Sequence, residues 1–250
     1  MTDFTNKNIV VTGTSSGIGE ALAKYFVNAG ANVIGIARRQ DKLEILKSEL
    51  GDKFNFICKD LGEDLDNHPK IIDEIYSKFG AISGLVLNAG IQETKPLAVV
   101  KYESSVNLFN INYFANILLI KGLKKKYVAE NGTSIVAISS ITSKLGIAGL
   151  TNYSASKAAL ESAVRTLAIE LEKYNIRVNG ISLGHVNTGI LQDTNLGSGY
   201  LEKLNNIYKQ GLIEIEDVNE LVSFLISNNS KKINGTIVKL DSGVSNKFGL

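Results

Sequence analysis

The chain has 250 residues, 44% of them apolar, which suits a single domain with a sizeable core. Its 27 basic and 25 acidic residues leave a net charge of +2, so composition gives no indication of binding to nucleic acid or an anionic membrane. A single cysteine, Cys58, excludes an internal disulfide, and no apolar stretch approaches the ~20 residues of a membrane span. The N-terminus also lacks the apolar segment of a signal peptide, so we expect a cytoplasmic protein.

Short apolar runs alternate with longer helical patterns along the whole chain. The apolar runs predict strands over Asn8–Thr12, Asn32–Ile36, Asn55–Lys59, Gly84–Asn88, Ser134–Ser139, Arg177–Ser182 and Thr236–Leu240. Between them, the periodicity predicts helices over Gly19–Ala29, Lys42–Leu50, Pro69–Phe79, Ile111–Val128, Tyr153–Lys173 and Glu216–Ser227. Nearly all-apolar strands alternating with helices indicate an α/β fold with a parallel sheet covered on both faces. We therefore predict one domain over residues 1–250, a Rossmann-type doubly wound sheet of about seven strands with its ligand crevice at their carboxyl ends.

The first strand is followed by a glycine-rich turn that contains Gly13, Gly17 and Gly19. Glycine lets the main chain approach a pyrophosphate closely, and the start of the next helix offers free N–H groups and positive potential. Turn chemistry alone would also account for such glycines. Their position between the first strand and the first helix favours nucleotide binding.

The second strand ends in Ala37, Arg38 and Arg39, where a carboxylate is expected in a protein that holds a free ribose 2′-hydroxyl. Ala37 leaves space and Arg38 can pair with a 2′-phosphate, so this pattern favours NADP, with Ser15 as a further hydroxyl contact. The alternative is that both arginines decorate a polar turn. Asp60, after the third strand, could accept a hydrogen bond from adenine, or could equally belong to a turn.

The third predicted strand includes Cys58, which we expect to be a buried core thiol. The two histidines, His68 and His185, have no metal-like neighbours, so a zinc site or a Ser-His-Asp hydrolase is not indicated. His185 follows a glycine and could touch the pocket, but we expect a solvent-facing loop histidine. The Gly- and Asn-rich segment 188–211 is either a substrate lid over the crevice or an ordinary surface loop.

Tyr153 and Lys157 lie four residues apart in a helical pattern, with Ser139 and Ser140 upstream. Residues i and i+4 share one face of a helix, so the ammonium is expected to lower the pKa of the phenol and make it a useful acid or base. A nearby serine hydroxyl could hold a substrate oxygen. Alone, this triplet also fits a solvated amphipathic helix.

Together these motifs resemble the short-chain dehydrogenase/reductase family over nearly the whole chain. The family's cofactor turn matches Thr12–Gly19, and its Asn-Asn-Ala-Gly matches Leu87–Gly90 with leucine in place of the first asparagine. Its Arg-x-Asn-x-x-x-Pro-Gly segment matches Arg177–Gly184, with Leu183 in place of the proline. The resemblance implies a catalytic tetrad of Asn112, Ser140, Tyr153 and Lys157. It implies cofactor contacts from Gly13, Ser15, Ser16, Gly17, Ile18, Gly19, Arg38, Arg39, Asp60, Leu61, Asn88, Ala89, Gly90, Tyr153, Lys157, Gly184, Val186 and Thr188.

The resemblance implies an NADP(H)-dependent enzyme that interconverts a ketone and a secondary alcohol, without a metal. Tyr153 is expected to donate the proton, Ser140 to hold the carbonyl oxygen, Lys157 to lower the tyrosine pKa and bind the nicotinamide ribose, and Asn112 to anchor a relay water. Reduction of 3-oxoacyl groups on acyl carrier protein and oxidation of sugars or polyols are alternative activities. The alternative outside enzymes is a regulatory protein that senses a nucleotide and has kept the fold. Relatives of this type usually form dimers or tetramers through the helix of Tyr153 and the segment Thr236–Gly243.

Overall fold

The computed structural model describes residues 2–125, 127–188, 204 and 206–248. Most of the predicted lid, 188–211, therefore lies outside the described residues. The strands are β1 Asn8–Thr12, β2 Asn32–Ala37, β3 Phe54–Cys58, β4 Ile82–Leu87, β5 Ala129–Ser140, β6 Arg177–Leu183, β7 Val186–Asn187, β8 Ile213–Glu214 and β9 Ile237–Leu240. The α-helices are α1 Gly17–Asn28, α2 Gln40–Leu50, α3 His68–Phe79, α4 Tyr102–Phe109, α5 Ala115–Leu123, α6 Thr151–Glu170 and α7 Ile215–Ile226.

Seven strands form one parallel sheet in the order β3-β2-β1-β4-β5-β6-β9, and β7 pairs with β8 separately. The chain moves outward from β1 to β3, then returns to the other side of β1 with β4, so the strand order reverses between β1 and β4. Parallel strands require crossover connections, and helices supply them here. The predicted doubly wound fold of seven strands is confirmed.

Alternate strand residues face opposite layers of core because the side chains of a strand alternate. Val11 and Ile181 pack on one face with Phe26 of α1, Leu46 of α2 and Val222 of α7. The other face packs against α3, α5 and α6, through residues such as Ile72, Leu119 and Leu160. These two cores explain why the strands are apolar on both sides.

The predicted helix over Ile111–Val128 is wrong at both ends. Helical structure begins earlier with α4, passes through a π-helical segment at Asn110–Phe114, and ends with α5 at Leu123. A π-helical turn inserts one residue into the helical repeat, so a search for the 3.6-residue period does not follow it. The predicted burial of Cys58 is also wrong, since this residue ends the edge strand β3 and its thiol is exposed.

None of the helices in the described part of the chain is long and apolar enough to cross a bilayer. Within the same residues, no group of three or more His, Cys, Asp or Glu side chains is placed to hold a metal ion. His68, one of the two histidines, is fully buried, and its ring nitrogens contact the carbonyl oxygens of Leu61 and Asp64.

Candidate active site

The turn after β1 depends on glycines, because two of its positions have no room for a side chain or adopt a conformation that side chains disfavour. Gly13 has φ of +78°, a conformation that side chains disfavour, and a Cβ on Gly19 would lie 2.2 Å from the carbonyl oxygen of Gly13. The turn therefore packs against the first residues of α1, which begins at Gly17 after an extended Ser16. The first N–H groups of α1 have no partner within the helix, as a helix start requires, so they are available to an anion.

A groove of about 430 Å³ lies over this turn and the ends of β2, β3 and β4. It brings together thirteen of the predicted cofactor residues, namely Gly13, Ser15, Ser16, Gly17, Ile18, Arg38, Arg39, Asp60, Leu61, Asn88, Ala89, Gly90 and Thr188. Gly19 does not line it and lies beneath the turn. Lys59 and Ile111 line the groove as well and were not predicted.

The two arginines after β2 have different surroundings. The guanidinium of Arg39 donates to the hydroxyls of Ser15 and Ser16 at 3.0 and 2.6 Å and to the carbonyl oxygen of Ser15, which ties it to the glycine turn. Arg38 is 62% exposed and contacts Asp60 at 3.4 Å. An exposed ion pair of this length is weak, so Arg38 can turn toward a phosphate at little cost.

Thr12 joins the glycine turn to the end of β4. Its hydroxyl accepts the main-chain N–H groups of Asn88 and Ala89, each at 2.9 Å. The side-chain amide of Asn88 donates to the Thr12 carbonyl oxygen at 3.0 Å. These bonds fix the segment Asn88–Gly90 beside the groove, and Leu87, in the place of the family's first asparagine, is buried behind it.

Asn112 lies fully buried in the π-helical segment. Its side chain accepts the N–H of Ile91 at 2.8 Å and donates to the Ile91 carbonyl oxygen and the Ser156 hydroxyl. A Cβ on Gly90 would lie 3.2 Å from its Oδ1 and 3.4 Å from the Nζ of Lys157. Asn112 and Lys157 therefore both border Gly90, where the two halves of the sheet meet.

Ser140 ends β5 and is held by Thr142. Its Oγ accepts the N–H of Thr142 at 3.3 Å and lies 3.0 Å from the Thr142 hydroxyl. Ser140 and Tyr153 also share a side-chain hydrogen bond. A serine hydroxyl has two acceptor positions and one proton, so two contacts from Thr142 leave that proton for Tyr153 or a substrate.

Lys157 is 4% exposed, and its Nζ donates to the carbonyl oxygen of Ile138 at 2.8 Å. The ammonium lies 5.8 Å from the centre of the Tyr153 ring. Burial lowers the pKa of Lys157 to about 8, and the carboxylate of Glu161 opposes that shift. Burial is the larger effect because it removes water from the ammonium.

The net pKa of Tyr153 is raised in this structure, whereas a lowering by the ammonium of Lys157 is expected from the sequence. Burial of the phenol raises the pKa of Tyr153 above its ordinary value, against a lowering by the hydrogen bond with Ser140. Lys157 is itself deeply buried and its ammonium is directed to a β5 carbonyl, so desolvation dominates at the phenol.

Ser140, Tyr153 and Lys157 line a cavity of about 510 Å³. Gly184 and Val186 also line it, which places them at the catalytic end of the cleft. The residues common to this cavity and the nucleotide groove are Ile18, Asn88, Gly90 and Ile91. The two spaces are therefore joined into one cleft at the carboxyl ends of the strands, as predicted for this sheet.

His185 lines this cavity and is half-buried, so the structure agrees with the alternative that it touches the pocket rather than with a fully solvent-facing histidine. Its N–H donates to the hydroxyl of the buried Tyr208 at 2.8 Å, and the two rings pack edge to face with centroids 6.0 Å apart. Burial lowers the pKa of His185. Tyr208 thus anchors the turn that follows Leu183, the residue in the place of the family's proline, and the distance between positions 185 and 208 in the sequence explains why this contact is not predicted.

A family model described as short chain dehydrogenase matches residues 7–198. The chain belongs to the short-chain dehydrogenase/reductase family. Enzymes of this family are oxidoreductases, and the seven-stranded parallel sheet of this chain is the family's fold.

Relatives of the chain in this family have different activities. The L-xylulose reductase of Caenorhabditis elegans is 33% identical over 246 residues, which cover 98% of both chains. The 3-oxoacyl-acyl-carrier-protein reductase FabG of Buchnera aphidicola is 30% identical over 96% of this chain and 98% of that protein. A crystal structure from Brucella melitensis, named as a glucose/ribitol dehydrogenase of the same family, matches with a TM-score of 0.86 at 26% identity over 98% and 99% of the two chains.

Proposed function

We propose that this protein is an NADP(H)-dependent oxidoreductase that interconverts a ketone and a secondary alcohol, with Tyr153 as the acid or base. The main support is that Ser140, Tyr153 and Lys157 share one cavity that opens into a nucleotide-sized groove. Without the groove the three side chains would be an isolated polar cluster. Without the cluster the groove would be a binding site only.

The groove suits a dinucleotide phosphate. The glycine turn and the start of α1 present main-chain N–H groups to a pyrophosphate. Arg38 and Ser15 are proposed to bind a ribose 2′-phosphate and Asp60 to bind the adenine amino group, and all three line the groove. Thr188, near the other end, is proposed to hold the nicotinamide carboxamide. When bound, NADPH supplies the hydride for the carbonyl carbon.

The chain's own residues then handle the carbonyl oxygen and the proton. Ser140 donates its one uncommitted proton to the oxygen, and Tyr153 transfers the proton that completes the alcohol. Lys157 lies beside Tyr153 and is proposed to bind the nicotinamide ribose. Asn112 is proposed to anchor the water that resupplies protons through its main-chain carbonyl oxygen, which also accepts the Asn116 amide at 2.8 Å, because its side chain is bonded to Ile91 and Ser156.

Tyr153 is proposed to act in both directions: as the phenol it protonates a ketone, and as the phenolate it accepts the proton of an alcohol. The nucleotide-sensing alternative is disfavoured because all four catalytic residues are present and three of them line one cavity.

The walls of the cavity mix apolar and polar side chains, including Ile91, Ile147, Gln92, Thr94 and His185. Two substrate classes follow from the relatives: a ketose, as for the L-xylulose reductase, and a 3-oxoacyl thioester on acyl carrier protein, as for the FabG protein. Lys124, Lys125 and Lys126, which follow α5, are the cations that we propose for contact with an acidic carrier; Lys125 also pairs with Asp73, and Lys126 lies outside the described residues.

We also propose a cytoplasmic homodimer or homotetramer. Exposed apolar side chains support the assembly, among them Ile169 on α6 at 76% and Phe224 on α7 at 39%. The strand β9 ends the sheet in the described part of the chain, so its outer edge is available to a second copy. Gel filtration with light scattering tests this proposal.

The function is tested by NADPH consumption with a panel of ketoses, 3-oxoacyl thioesters and simple ketones. We expect turnover with at least one class in the wild type and almost none in Tyr153→Phe. A titration of both proteins with NADPH must show equal affinity, because the substitution removes a hydroxyl and little volume. Wild-type turnover in Tyr153→Phe would contradict the proposed acid.

A further inference from the structure

Glu161 is a buried acid outside the residues assigned so far. It lies on α6 one helical turn after Lys157 and is 2% exposed. Carboxylates are almost never buried to this extent unless other groups compensate the loss of water. Glu161 does not line the catalytic cavity, so a direct contact with substrate does not explain it.

The partners of Glu161 are two serine hydroxyls. Its Oε1 accepts Ser139 Oγ at 2.9 Å and Ser143 Oγ at 2.6 Å. Ser139 is the next-to-last residue of β5, and Ser143 ends the short 3₁₀ turn Ile141–Ser143 that follows. The two hydroxyls therefore come from either side of Ser140.

The same helix carries Tyr153, Lys157 and Glu161, so the carboxylate fastens the Ser140 segment to the helix of the proton donor. Charge-assisted hydrogen bonds are shorter and stronger than neutral ones, which suits a fixed distance between two elements. An apolar side chain at this position would fill the space at lower desolvation cost, but it could not hold either hydroxyl.

We propose that Glu161 is a positioning residue that fixes Ser140 against Tyr153 through Ser139 and Ser143. This inference rests on the proposed function, because it concerns the geometry of the same proton transfer. Its electrostatic effect acts in the same direction: the carboxylate opposes the lowering of the Lys157 pKa by burial and so favours the ammonium.

The central test compares Glu161→Leu with Glu161→Gln, because the amide oxygen of glutamine can still accept both hydroxyls. A displacement of about 1 Å at a reacting group can cost on the order of 10²-fold in rate, so we expect that loss of kcat in Glu161→Leu. The dissociation constant for NADPH should stay within about two-fold of wild type, since neither serine contacts the nucleotide groove. Glu161→Gln should recover at least about ten-fold of the lost kcat. Glu170→Leu, at an exposed position of the same helix, is the matched control and should retain wild-type kcat.

The serines provide a second test that does not depend on the folding of Glu161→Leu. Ser143→Ala and Ser139→Ala each remove one hydroxyl, and we expect each to lower kcat by roughly three- to ten-fold with unchanged NADPH affinity. Ser162→Ala, at an exposed position on α6, is their control.

Three results would overturn the inference. The first is wild-type kcat in Glu161→Leu, and the second is wild-type kcat in both serine variants. The third is a loss of kcat, NADPH affinity and melting temperature together in Glu161→Leu without recovery in Glu161→Gln, which indicates a structural role only. A wild-type protein that turns over no carbonyl compound contradicts the proposed function instead, so the two failures are distinguishable.

Discussion

The groups that line the nucleotide end of the cleft are main-chain atoms and exposed side chains, whereas at the proposed catalytic end Ser140 and Lys157 are buried and Tyr153 is half-buried. Gly13 and Gly19 shape the first region by having no side chain, and Arg38 stands 62% exposed beside it. In the second region, Lys157 is 4% and Ser140 is 9% exposed. The difference teaches that the nucleotide end can be altered with little effect on the core, while the catalytic end is part of the core.

The largest expected effect separates chemistry from binding. Tyr153→Phe should lower kcat by on the order of 10²–10⁴-fold, because it removes the proton donor. NADPH affinity should not change, as a fluorescence titration can show. A loss of both kcat and NADPH affinity would mean that Tyr153 also contributes to nucleotide binding, and it would contradict the separation between the two ends of the cleft.

The next prediction concerns the cost of burying a cation at the catalytic end. Lys157→Met should lose most turnover yet gain free energy of unfolding at pH 7 by up to about 3 kcal/mol, since the pKa of Lys157 is lowered from 10.5 to about 8. The loss of the donor to the Ile138 carbonyl will reduce this gain. Urea unfolding of both proteins measures it.

The difference in the free energy of unfolding between wild type and Lys157→Met should depend on pH. Between about pH 8 and 10.5 the unfolded lysine keeps its proton while the folded one has lost it, so wild-type stability rises with pH in this window. Lys157→Met lacks this contribution, and its advantage should shrink as pH increases. An advantage that grows with pH would show that the folded lysine holds its proton.

At the nucleotide end, Arg38→Asp should weaken NADPH binding by at least about ten-fold and improve the relative affinity for NADH. The new carboxylate repels a 2′-phosphate and can accept a bond from a 2′-hydroxyl. The melting temperature should stay close to that of wild type because Arg38 is exposed and its pair with Asp60 is weak. Equal affinity of the wild type for both nucleotides would remove the NADP assignment.

The smallest effect concerns the orientation of Ser140. Thr142→Val keeps the shape of the side chain and the main-chain contact but removes the hydroxyl 3.0 Å from Ser140 Oγ. We expect kcat to fall by roughly three- to ten-fold, because Ser140 loses the hydroxyl donor that orients its own proton away from residue 142. Thr142→Ser should restore the rate, and an unchanged rate in Thr142→Val would exclude this orientation.

The elements that follow a simple period could be predicted from the sequence. The bounds of β1 agree at both ends, and the seven strands of the sheet were all found, since each combines apolar residues with flanking turns. Gly13–Gly19 and Tyr153–Lys157 are local patterns, and the structure brings both to one cleft. Features set by local geometry were missed, such as the π-helical segment at Asn110–Phe114.

Contacts between distant parts of the chain explain the other misses. The burial of His185 depends on Tyr208, and the exposure of Cys58 depends on β3 being an edge strand. The buried partners of Glu161 come from β5 and its following turn, and no spacing along α6 indicates them. The direction of the pKa shift of Tyr153 also depends on distant contacts, because it is set by how far the assembled fold buries the phenol.

The strand order has a practical consequence for enzyme engineering. The determinants proposed for NADP preference, Ser15 and Arg38, follow β1 and β2, whereas Ser140 ends β5, and β4 separates these two groups of strands. A chimera that carries residues 8–61 of an NAD-dependent homologue should therefore exchange the nucleotide selectivity in one segment. The residues proposed for proton transfer, all of them beyond residue 110, would remain those of the recipient.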